Sequence, residues 1–225
     1  MKTSSKISLV SLTLMTLLAA AAPAADDSSL PEQSPEGLVL QKGKVAQVVY
    51  VRPGVDFSKY QRFAILDCPV AFRKNWQRDQ EESGQRITQK DMDAIKAGLS
   101  AQFIKVFTDE LQNKGGYTIV NTGAEDVLVL RPAIMDLDVT APDTMTAGRG
   151  FTLAGSAGAM TLYLEIYDSV TSQILARAID RQQDTGMGGI GWANRVTNTA
   201  DADRILRRWA SALRERLDEV HGKAK

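Results

Sequence analysis

Three acidic residues on two adjacent predicted strands are the side chains whose types and spacing come closest to a catalytic arrangement. Asp136 and Asp138 stand two positions apart, so they share one face of a strand. Glu165 belongs to the next long strand and can face them across an antiparallel pair. Paired carboxylates can hydrolyse a glycosidic bond, and clustered oxygen ligands can bind calcium. The alternation with apolar neighbours is equally typical of a strand whose acidic face lies in water.

A glycine motif and the single histidine suggest other chemistry, but their surroundings argue against it. The stretch from Gly186 to Gly191 has the glycine spacing of a dinucleotide-binding loop. Such a loop leads directly into a helix and then a parallel strand, whereas a polar segment follows here. His221, beside Gly222, falls at the end of the last predicted helix, where we expect it in solvent rather than in a catalytic triad. The sequence therefore predicts no catalytic residue, metal or cofactor.

Cys68 and the segment around Trp76 are the remaining candidates. Cys68 ends an apolar run next to Pro69, which is typical of a buried thiol, and a lone cysteine cannot form an internal disulfide. Arg73 and Trp76 stand among further cations in the polar segment 70–87. An aromatic ring among cations can contact anionic glycan, peptide or lipid headgroups. Because acidic residues follow closely, a self-neutralising surface loop is the alternative.

Composition and the N-terminus narrow the class of protein. The 27 basic residues balance 27 acidic ones, which argues against nucleic-acid binding by bulk charge. Lys2 and Lys6 precede an apolar run over 9–22, and Ala22 and Ala24 supply the small residues that a signal peptidase recognises. The run is too short to cross the roughly 30 Å hydrocarbon core of a bilayer comfortably. The pattern predicts a secretory signal peptide.

The predicted signal peptide divides the chain into three parts. We expect a signal peptide over 1–24 that is cleaved after Ala24, a flexible leader over 25–37 and a single domain over 38–222. No cysteine lies near the cleavage site and no twin-arginine pair precedes the apolar run, so we expect export by the general secretion route without a lipid anchor. The mature protein should then be periplasmic or secreted, with no stable transmembrane anchor after signal cleavage.

The elements that position these residues form an α+β pattern. Short apolar runs bounded by turn residues predict strands over 45–52, 62–67, 117–121, 125–139, 160–168 and 173–184. Helical spacing predicts one helix over 89–113, capped by Thr88 with Asp91, and another that begins near Thr199. Pro132 must bend its strand or place it at an edge. We expect a single domain in which a largely antiparallel sheet has two long helices packed on one face.

Two glycine-rich segments give the strongest candidate for a binding surface. If the last three predicted strands form an antiparallel meander, the segments 140–159 and 185–198 meet at one edge of the sheet. Long glycine-rich loops in a compact domain are usually functional or disordered. Apolar side chains occur in both segments: Met145, Phe151, Leu153, Met187, Ile190 and Trp192. They suit either a partner at this rim or a plug that closes the end of the core.

Four sequence blocks, in this order and spacing, carry a resemblance to a known family. They read KVAQVVYVRPGVDFSKYQRFAILDCPV, ITQKDMDAIKAGLSAQFIKVFTDEL, VLVLRPAIMDLDVTAP and LYLEIYDSVTSQILARAIDRQ. With these blocks the chain resembles the bacterial domain-of-unknown-function family numbered 3313. The resemblance implies an exported cell-envelope protein, usually a predicted lipoprotein, of unestablished function and without known catalytic residues. This chain departs from that pattern because it lacks the cysteine that is lipidated directly after the signal peptide.

Together these observations favour a non-enzymatic exported module that binds a protein or another cell-envelope component, or that assists assembly. Its predicted contacts are the apolar residues of the glycine-rich rim, with Phe151 and Trp192 as the main anchors. Trp76 and Arg73 would form a second contact that steers the partner. The alternative is a cofactor-free hydrolase that uses the three carboxylates.

Overall fold

Three long strands with apolar residues at every second position build the centre of this fold. The computed structural model describes residues 30–41, 46–139, 152–154, 158–184, 191–193 and 195–223. The strands are β1 (Val39–Leu40), β2 (Val48–Val51), β3 (Arg62–Ile65), β4 (Val70–Phe72), β5 (Thr118–Ile119), β6 (Val127–Val139), β7 (Thr152–Ala154), β8 (Gly158–Asp168), β9 (Ile174–Asp184) and β10 (Gly191–Ala193). The helices are α1 (Trp76–Glu82), α2 (Gln89–Thr108) and α3 (Arg195–Val220), with a 3-10 turn at Phe57–Lys59 and a π-helical turn at Asp109–Lys114.

Strand β8 lies in the middle of an eight-stranded sheet whose order is β1-β2-β9-β8-β6-β3-β5, with β4 also paired to β6. Strands β6, β8 and β9 form the antiparallel meander that the sequence predicts. Among the strands in the described ranges, parallel pairing is confined to β3 with β5, β3 with β6, and β4 with β6. The prediction of a single α+β domain with a largely antiparallel sheet is confirmed.

Both long helices contribute to a core on one face of the sheet. Leu128 of β6 and Leu164 of β8 are buried there together with Phe103 of α2 and Leu206 of α3. An ion pair also links α3 to the π-helical turn that follows α2: Arg214 Nε lies 3.3 Å from the buried carboxylate of Glu110. The helices therefore cover the same face, as the sequence predicts.

The start of α2 forms by the predicted reciprocal cap. Thr88 Oγ1 accepts a hydrogen bond from the backbone N–H of Asp91 at 3.2 Å, and the Asp91 carboxylate accepts one from the backbone N–H of Thr88 at 2.9 Å. Two donors that a helix start would leave unpaired are satisfied in this way. The other long helix, α3, begins at Arg195, ahead of the predicted start near Thr199.

Pro132 lies within β6 and is neither at a sheet edge nor the end of the strand. On one side it pairs with Leu164 of β8. On the other side it falls between the last pair of β3 with β6 and the first pair of β4 with β6. The backbone N–H of Ile134, two residues on, donates to Pro69 O at 2.8 Å. The N–H that proline lacks would point to this same side, so the break between β3 and β4 accommodates the residue.

The N-terminal segment 31–40 covers the sheet face opposite the helices. Leu38 packs there with Tyr50 and Ile174 in a second, smaller apolar cluster. The Tyr50 hydroxyl donates to Pro31 O at 2.8 Å, and Glu36 pairs with Arg177 at 2.9 Å. Residues 31–37 therefore belong to the folded domain, although the sequence assigns them to a flexible leader. The polar character of these residues favours a flexible leader, but in the structure the segment bonds to residues of the sheet.

Asp168 organises the turn that joins β8 to β9. Its Oδ1 accepts hydrogen bonds from the backbone N–H groups of Val170 at 3.0 Å and Thr171 at 2.8 Å. Its Oδ2 accepts one from the Tyr60 hydroxyl at 2.7 Å. These bonds, led by the one from Thr171, outweigh the effect of burial and lower the pKa of Asp168 from its ordinary value of 3.8 to about 2. The ionised carboxylate thus ties the meander to the chain around Tyr60.

We expect Asp168→Asn to lower the free energy of unfolding at neutral pH by about 2 kcal/mol, because each pKa unit corresponds to about 1.4 kcal/mol. The folded-state pKa is the lower one, so this stabilisation is complete above the unfolded pKa. It disappears as the pH falls through about 2. Urea unfolding of the wild type and the variant between about pH 6 and about pH 2.5 measures the difference. A difference that stays constant over this range would contradict the assignment.

Candidate functional site

The two glycine-rich segments meet in a short two-stranded ribbon. Strands β7 and β10 pair antiparallel, with Trp192 directly opposite Leu153 and with Gly191 opposite Ala154. Both segments are predicted as loops from their sequence, whereas each contains one of these short strands. The described backbone nevertheless brings the two segments together, as the predicted meander requires. The remaining predicted contact residues, Phe151, Met187 and Ile190, and also Met145, lie outside the described residues.

The chain path places this ribbon near one end of the meander. Ala154 at the end of β7 is separated from Gly158 at the start of β8 by three residues. Four peptide steps reach at most about 14 Å. The ribbon therefore lies close to the edge at which β6 ends, β8 starts and β9 ends. The opposite end of the meander carries the turn with Val170, whose side chain is 61% exposed.

Trp76 and Arg73 do not form the exposed steering loop that the sequence predicts. Trp76 begins helix α1 and is only 1% exposed. Its ring stacks on Phe72 at 4.0 Å between centroids, and its Nε1 donates to Val139 O at 3.1 Å. Burial of a large aromatic side chain outweighs the polar character of its neighbours. Trp76 is therefore part of the packed structure and is not accessible to a partner.

Arg73 pairs with carboxylates of its own chain. Its Nε lies 2.9 Å from Asp138 Oδ2, and its guanidinium also pairs with Asp79. The hydrogen bond to Asp79, followed by the one to Asp138, outweighs desolvation and raises the pKa of Arg73. The segment is self-neutralising, as the alternative predicts, but it forms a helix rather than a loop.

Glu165 lies far from the other two candidate carboxylates. A β-bulge shifts the register of β6 between Met135 and Asp138, and Asp136 within it has a φ of 50° and is exposed. Asp138 lies opposite Ala159. That position is six residues along β8 from Glu165, or roughly 20 Å at 3.4 Å per residue. The arrangement does not form the catalytic pair or the oxygen cluster that the sequence left open.

Glu165 anchors a buried ionic network on the sheet face opposite the helices. Its carboxylate accepts hydrogen bonds from the hydroxyls of Tyr163 at 2.9 Å and Tyr167 at 2.8 Å. Arg177 Nη2 lies 2.9 Å away and Arg131 Nη2 lies 2.8 Å away. Burial alone would raise the pKa of Glu165, but these hydrogen bonds and charges outweigh it and lower the pKa. A general acid needs the opposite shift, so the geometry gives Glu165 a structural role.

Cys68 and His221 also serve packing. Cys68 is 1% exposed, and burial raises its pKa to about 12, so the thiol is held in its unreactive protonated form. The predicted buried thiol is confirmed. His221 is not in solvent as predicted: its Nδ1 lies 2.6 Å from Leu217 O and its Nε2 lies 3.0 Å from Tyr60 O. These contacts fix the end of α3 against the 3-10 turn.

A cavity lies between the sheet and α3, and the sequence does not predict it. Its volume is about 400 Å³, within the range of small-molecule sites. Its walls are formed mainly by apolar residues of β2, β8, β9 and α3, including Val49, Val51, Leu164, Ala178, Trp209 and Leu213. An apolar stripe on α3 is visible in the sequence. The space between that stripe and the sheet depends on which small residues of β9 and α3 face each other, and this is decided by strand pairing and by how α3 packs on the sheet.

A hydrogen bond fixes one end of this cavity. Trp209 Nε1 donates to Asp180 Oδ2 at 2.8 Å, which holds the indole ring of α3 against β9. The buried Asp180 carboxylate also accepts from the backbone N–H of Gln47 at 2.9 Å and from Gln182 Nε2 at 2.6 Å. The carboxylate is thus well satisfied by neutral donors and shapes the wall of the cavity.

Two classes of site find no support in the described part of the chain. Acidic, histidine and cysteine side chains there form no group of three that could hold a metal ion. None of the helices in the same ranges combines the length and the apolar character that a membrane span requires.

Comparison with known proteins gives distant structural likenesses. No curated protein matches this chain. The PelC dodecamer from Paraburkholderia phytofirmans is 10% identical with a TM-score of 0.36, over 73% of this chain and 96% of that one. A neuraminyllactose-binding hemagglutinin homolog from Helicobacter pylori is 9% identical with a TM-score of 0.38, over 72% and 86%. A PDZ domain protein from Parabacteroides distasonis is 12% identical with a TM-score of 0.38, over 76% of this chain but only 34% of that one. At these scores the likeness carries no functional role across.

A family comparison gives a clear result. The model of the family described as "Protein of unknown function (DUF3313)" matches residues 34–213. This range includes the whole meander, all of α2, most of α3 and residues 34–40 of the N-terminal segment that packs on the sheet. The match agrees with the resemblance seen in the four sequence blocks. The chain therefore belongs to the DUF3313 family.

Proposed function

We propose that this protein is a non-enzymatic binding or assembly accessory module of the bacterial cell envelope, which captures a protein or another envelope component through the β7–β10 ribbon. The observation that carries the proposal is the backbone register that sets Trp192 opposite Leu153. Tryptophan is among the residues that contribute most binding energy when they anchor a partner. A second apolar residue at the opposed position would extend the contact area around it.

The short length and the pairing of the two ribbon strands also suit a binding element. Two strands of three residues each are marginal on their own in water. In the described part of the chain these strands pair only with each other. Their outer backbone groups can therefore be satisfied by a partner, and binding would be driven by apolar burial with added backbone hydrogen bonds.

The positions of the chemistry-bearing residues support a non-enzymatic role over the hydrolase alternative. Glu165 is held ionised within its own network, and Asp138 is paired with Arg73 roughly 20 Å along the sheet from it. The Cys68 thiol is buried with a raised pKa. These groups make contacts within the fold, so we propose apolar association as the way in which the protein binds its partner.

An envelope location is part of the proposal and rests on the N-terminal sequence. The positive region, the apolar run and the small residues before Ala25 are typical of a secretory signal peptide. The mature protein would leave the cytoplasm by the general secretion route and remain periplasmic or be secreted.

We expect the protein purified from the envelope fraction of its own cells to begin at Ala25, because signal peptidase reads the small residues Ala22 and Ala24. N-terminal sequencing and the intact mass measure this directly. Protein that keeps residues 1–24 and stays in the cytoplasm would contradict the predicted export.

We expect a photoreactive residue in place of Trp192 to crosslink one recurrent partner in living cells, identified by mass spectrometry. The same partner should be captured from position 153, because the two positions are opposed in the ribbon. A photoreactive residue in place of Val170 is the matched control, since that exposed position lies at the opposite end of the meander. Trp192→Ala should weaken capture at least roughly tenfold, the effect of losing a hot-spot side chain.

Thermal unfolding of the Trp192→Ala protein separates binding from folding. An unchanged unfolding temperature together with lost capture supports the ribbon as a binding surface. If Trp192 and Leu153 instead plug the core, the variant will unfold at a clearly lower temperature and the photoreactive residue will give only internal crosslinks. Capture of the same proteins from position 170 would equally reject a specific site at the ribbon.

A further inference from the structure

The cavity between the sheet and α3 is large enough to hold a single hydrocarbon chain. On the side of α3, the residues that line the cavity run from Trp209 through Leu213 and Leu217 to Val220. At 1.5 Å per residue this stretch spans roughly 16 Å. A volume of about 400 Å³ over that length gives a mean cross-section of about 25 Å², or a channel about 5–6 Å wide. Because packed carbon atoms sit about 4 Å apart, one row of methylene groups fills such a channel.

Small residues on both walls keep this channel open. Ala176 and Ala178 of β9 face the helix, and Ala212 of α3 also lines the space. Protein interiors are otherwise close-packed, so larger side chains at these positions would have filled it. The helical layer contributes α3 alone over this side of the sheet, because α2 packs toward β4 at the other side. The void therefore follows from the choice of alanine under a single helix.

Among the described residues that line the interior, the charged groups already have partners. Asp180, the buried carboxylate in the lining, already accepts hydrogen bonds from the Gln47 backbone, Gln182 and Trp209. Arg177 lines the space, but its guanidinium is directed to Glu165 and Glu36 on the other face of the sheet. A polar group placed among these walls would lose its hydration without compensation. The buried part of a ligand should therefore be hydrocarbon.

A cation stands at the rim of the channel. Arg216 of α3 contributes to the lining, and its side chain is 57% exposed. It pairs with Glu219 at 2.7 Å, one turn further along the helix. A guanidinium can bind a carboxylate through two parallel hydrogen bonds, so it retains capacity for an anionic group at the mouth.

We propose that this cavity binds a medium-chain fatty acid such as laurate, with its hydrocarbon chain along α3 and its carboxylate at Arg216. The volume is near the lower end for ligand pockets, which suits one chain rather than the two chains of a phospholipid. This site is independent of the partner proposed for the ribbon, and either proposal can fail without the other.

Calorimetric titration of the mature protein, which begins at Ala25, with laurate below its micelle-forming concentration tests the site. We expect one saturable site per chain. Octanoate should bind much more weakly, because each buried methylene group contributes roughly fourfold in affinity. Laurate should also raise the unfolding temperature, since it binds the folded state. The absence of saturable laurate binding to the wild type would overturn the proposal.

Filling the channel provides the matched variant. Ala212→Leu should weaken laurate binding at least roughly tenfold, because the added side chain occupies the path of the ligand. Ala101→Leu is the control, since that alanine lies on the exposed face of α2. If Ala212→Leu fails to fold, Ala178→Leu makes the same test from the sheet side. Equal laurate affinity in a folded channel variant and the wild type would overturn the proposal.

Two comparisons examine the chemistry of the ligand. Arg216→Gln should weaken laurate binding roughly tenfold and leave dodecanol binding unchanged, because only the carboxylate uses the guanidinium. Equal effects on the two ligands, or no effect on laurate, would overturn the assignment of an anionic headgroup. Saturable binding of anilinonaphthalene sulfonate without laurate binding would show a pocket for rings rather than for a chain, which also overturns it.

Discussion

The pairing of the buried Glu165 carboxylate with two arginines is the interaction on which the sheet depends. Glu165 lies in the middle of β8 and holds Arg131 of β6 on one side and Arg177 of β9 on the other. A buried charge costs several kcal/mol unless it is fully paired, so every partner must stay in place once the carboxylate is enclosed. Arg177 in turn holds Glu36, which brings the N-terminal segment onto the same face. One charged residue thus fixes the register of three strands and the cover above them.

The other face of β8 depends on apolar burial instead. Leu162, Leu164 and Ile166 enter the core shared with α2 and α3. The ionic contacts of Glu165 and the apolar contacts to the helices are thus kept on opposite faces of the same strand. The sheet is ionically paired on one face, while the helical layer above β2 and β9 leaves the cavity on the other. A binding module needs such a combination, because a rigid support reduces the entropy that a ligand or partner must overcome.

The sequence predicts features that local rules decide, and it fails where distant residues decide. The cap of Thr88 with Asp91 follows from residues three apart, and the meander follows from alternation and short turns. Trp76 is predicted in solvent because its neighbours are charged, whereas Phe72 and the distant carbonyl of Val139 hold it in the interior. The bulge at Asp136 breaks the alternation that seemed to align the acidic side chains. The cavity needs the facing positions of β9 and α3, which no single segment reveals.

The order of the sheet has a consequence for when this chain can fold. Strand β2 leaves the ribosome early, yet its neighbour in the sheet is β9, and Tyr50 pairs with Arg177 far along the chain. Glu36 and Arg177 are separated by 141 positions, so the N-terminal segment finds its partners only after nearly the whole domain has been synthesised. Contacts of such long range slow folding, because a large loop must close before they form. The pairing of β2 with β9 therefore cannot form until β9 has been synthesised, and the first part of the domain lacks its partner in the sheet until then.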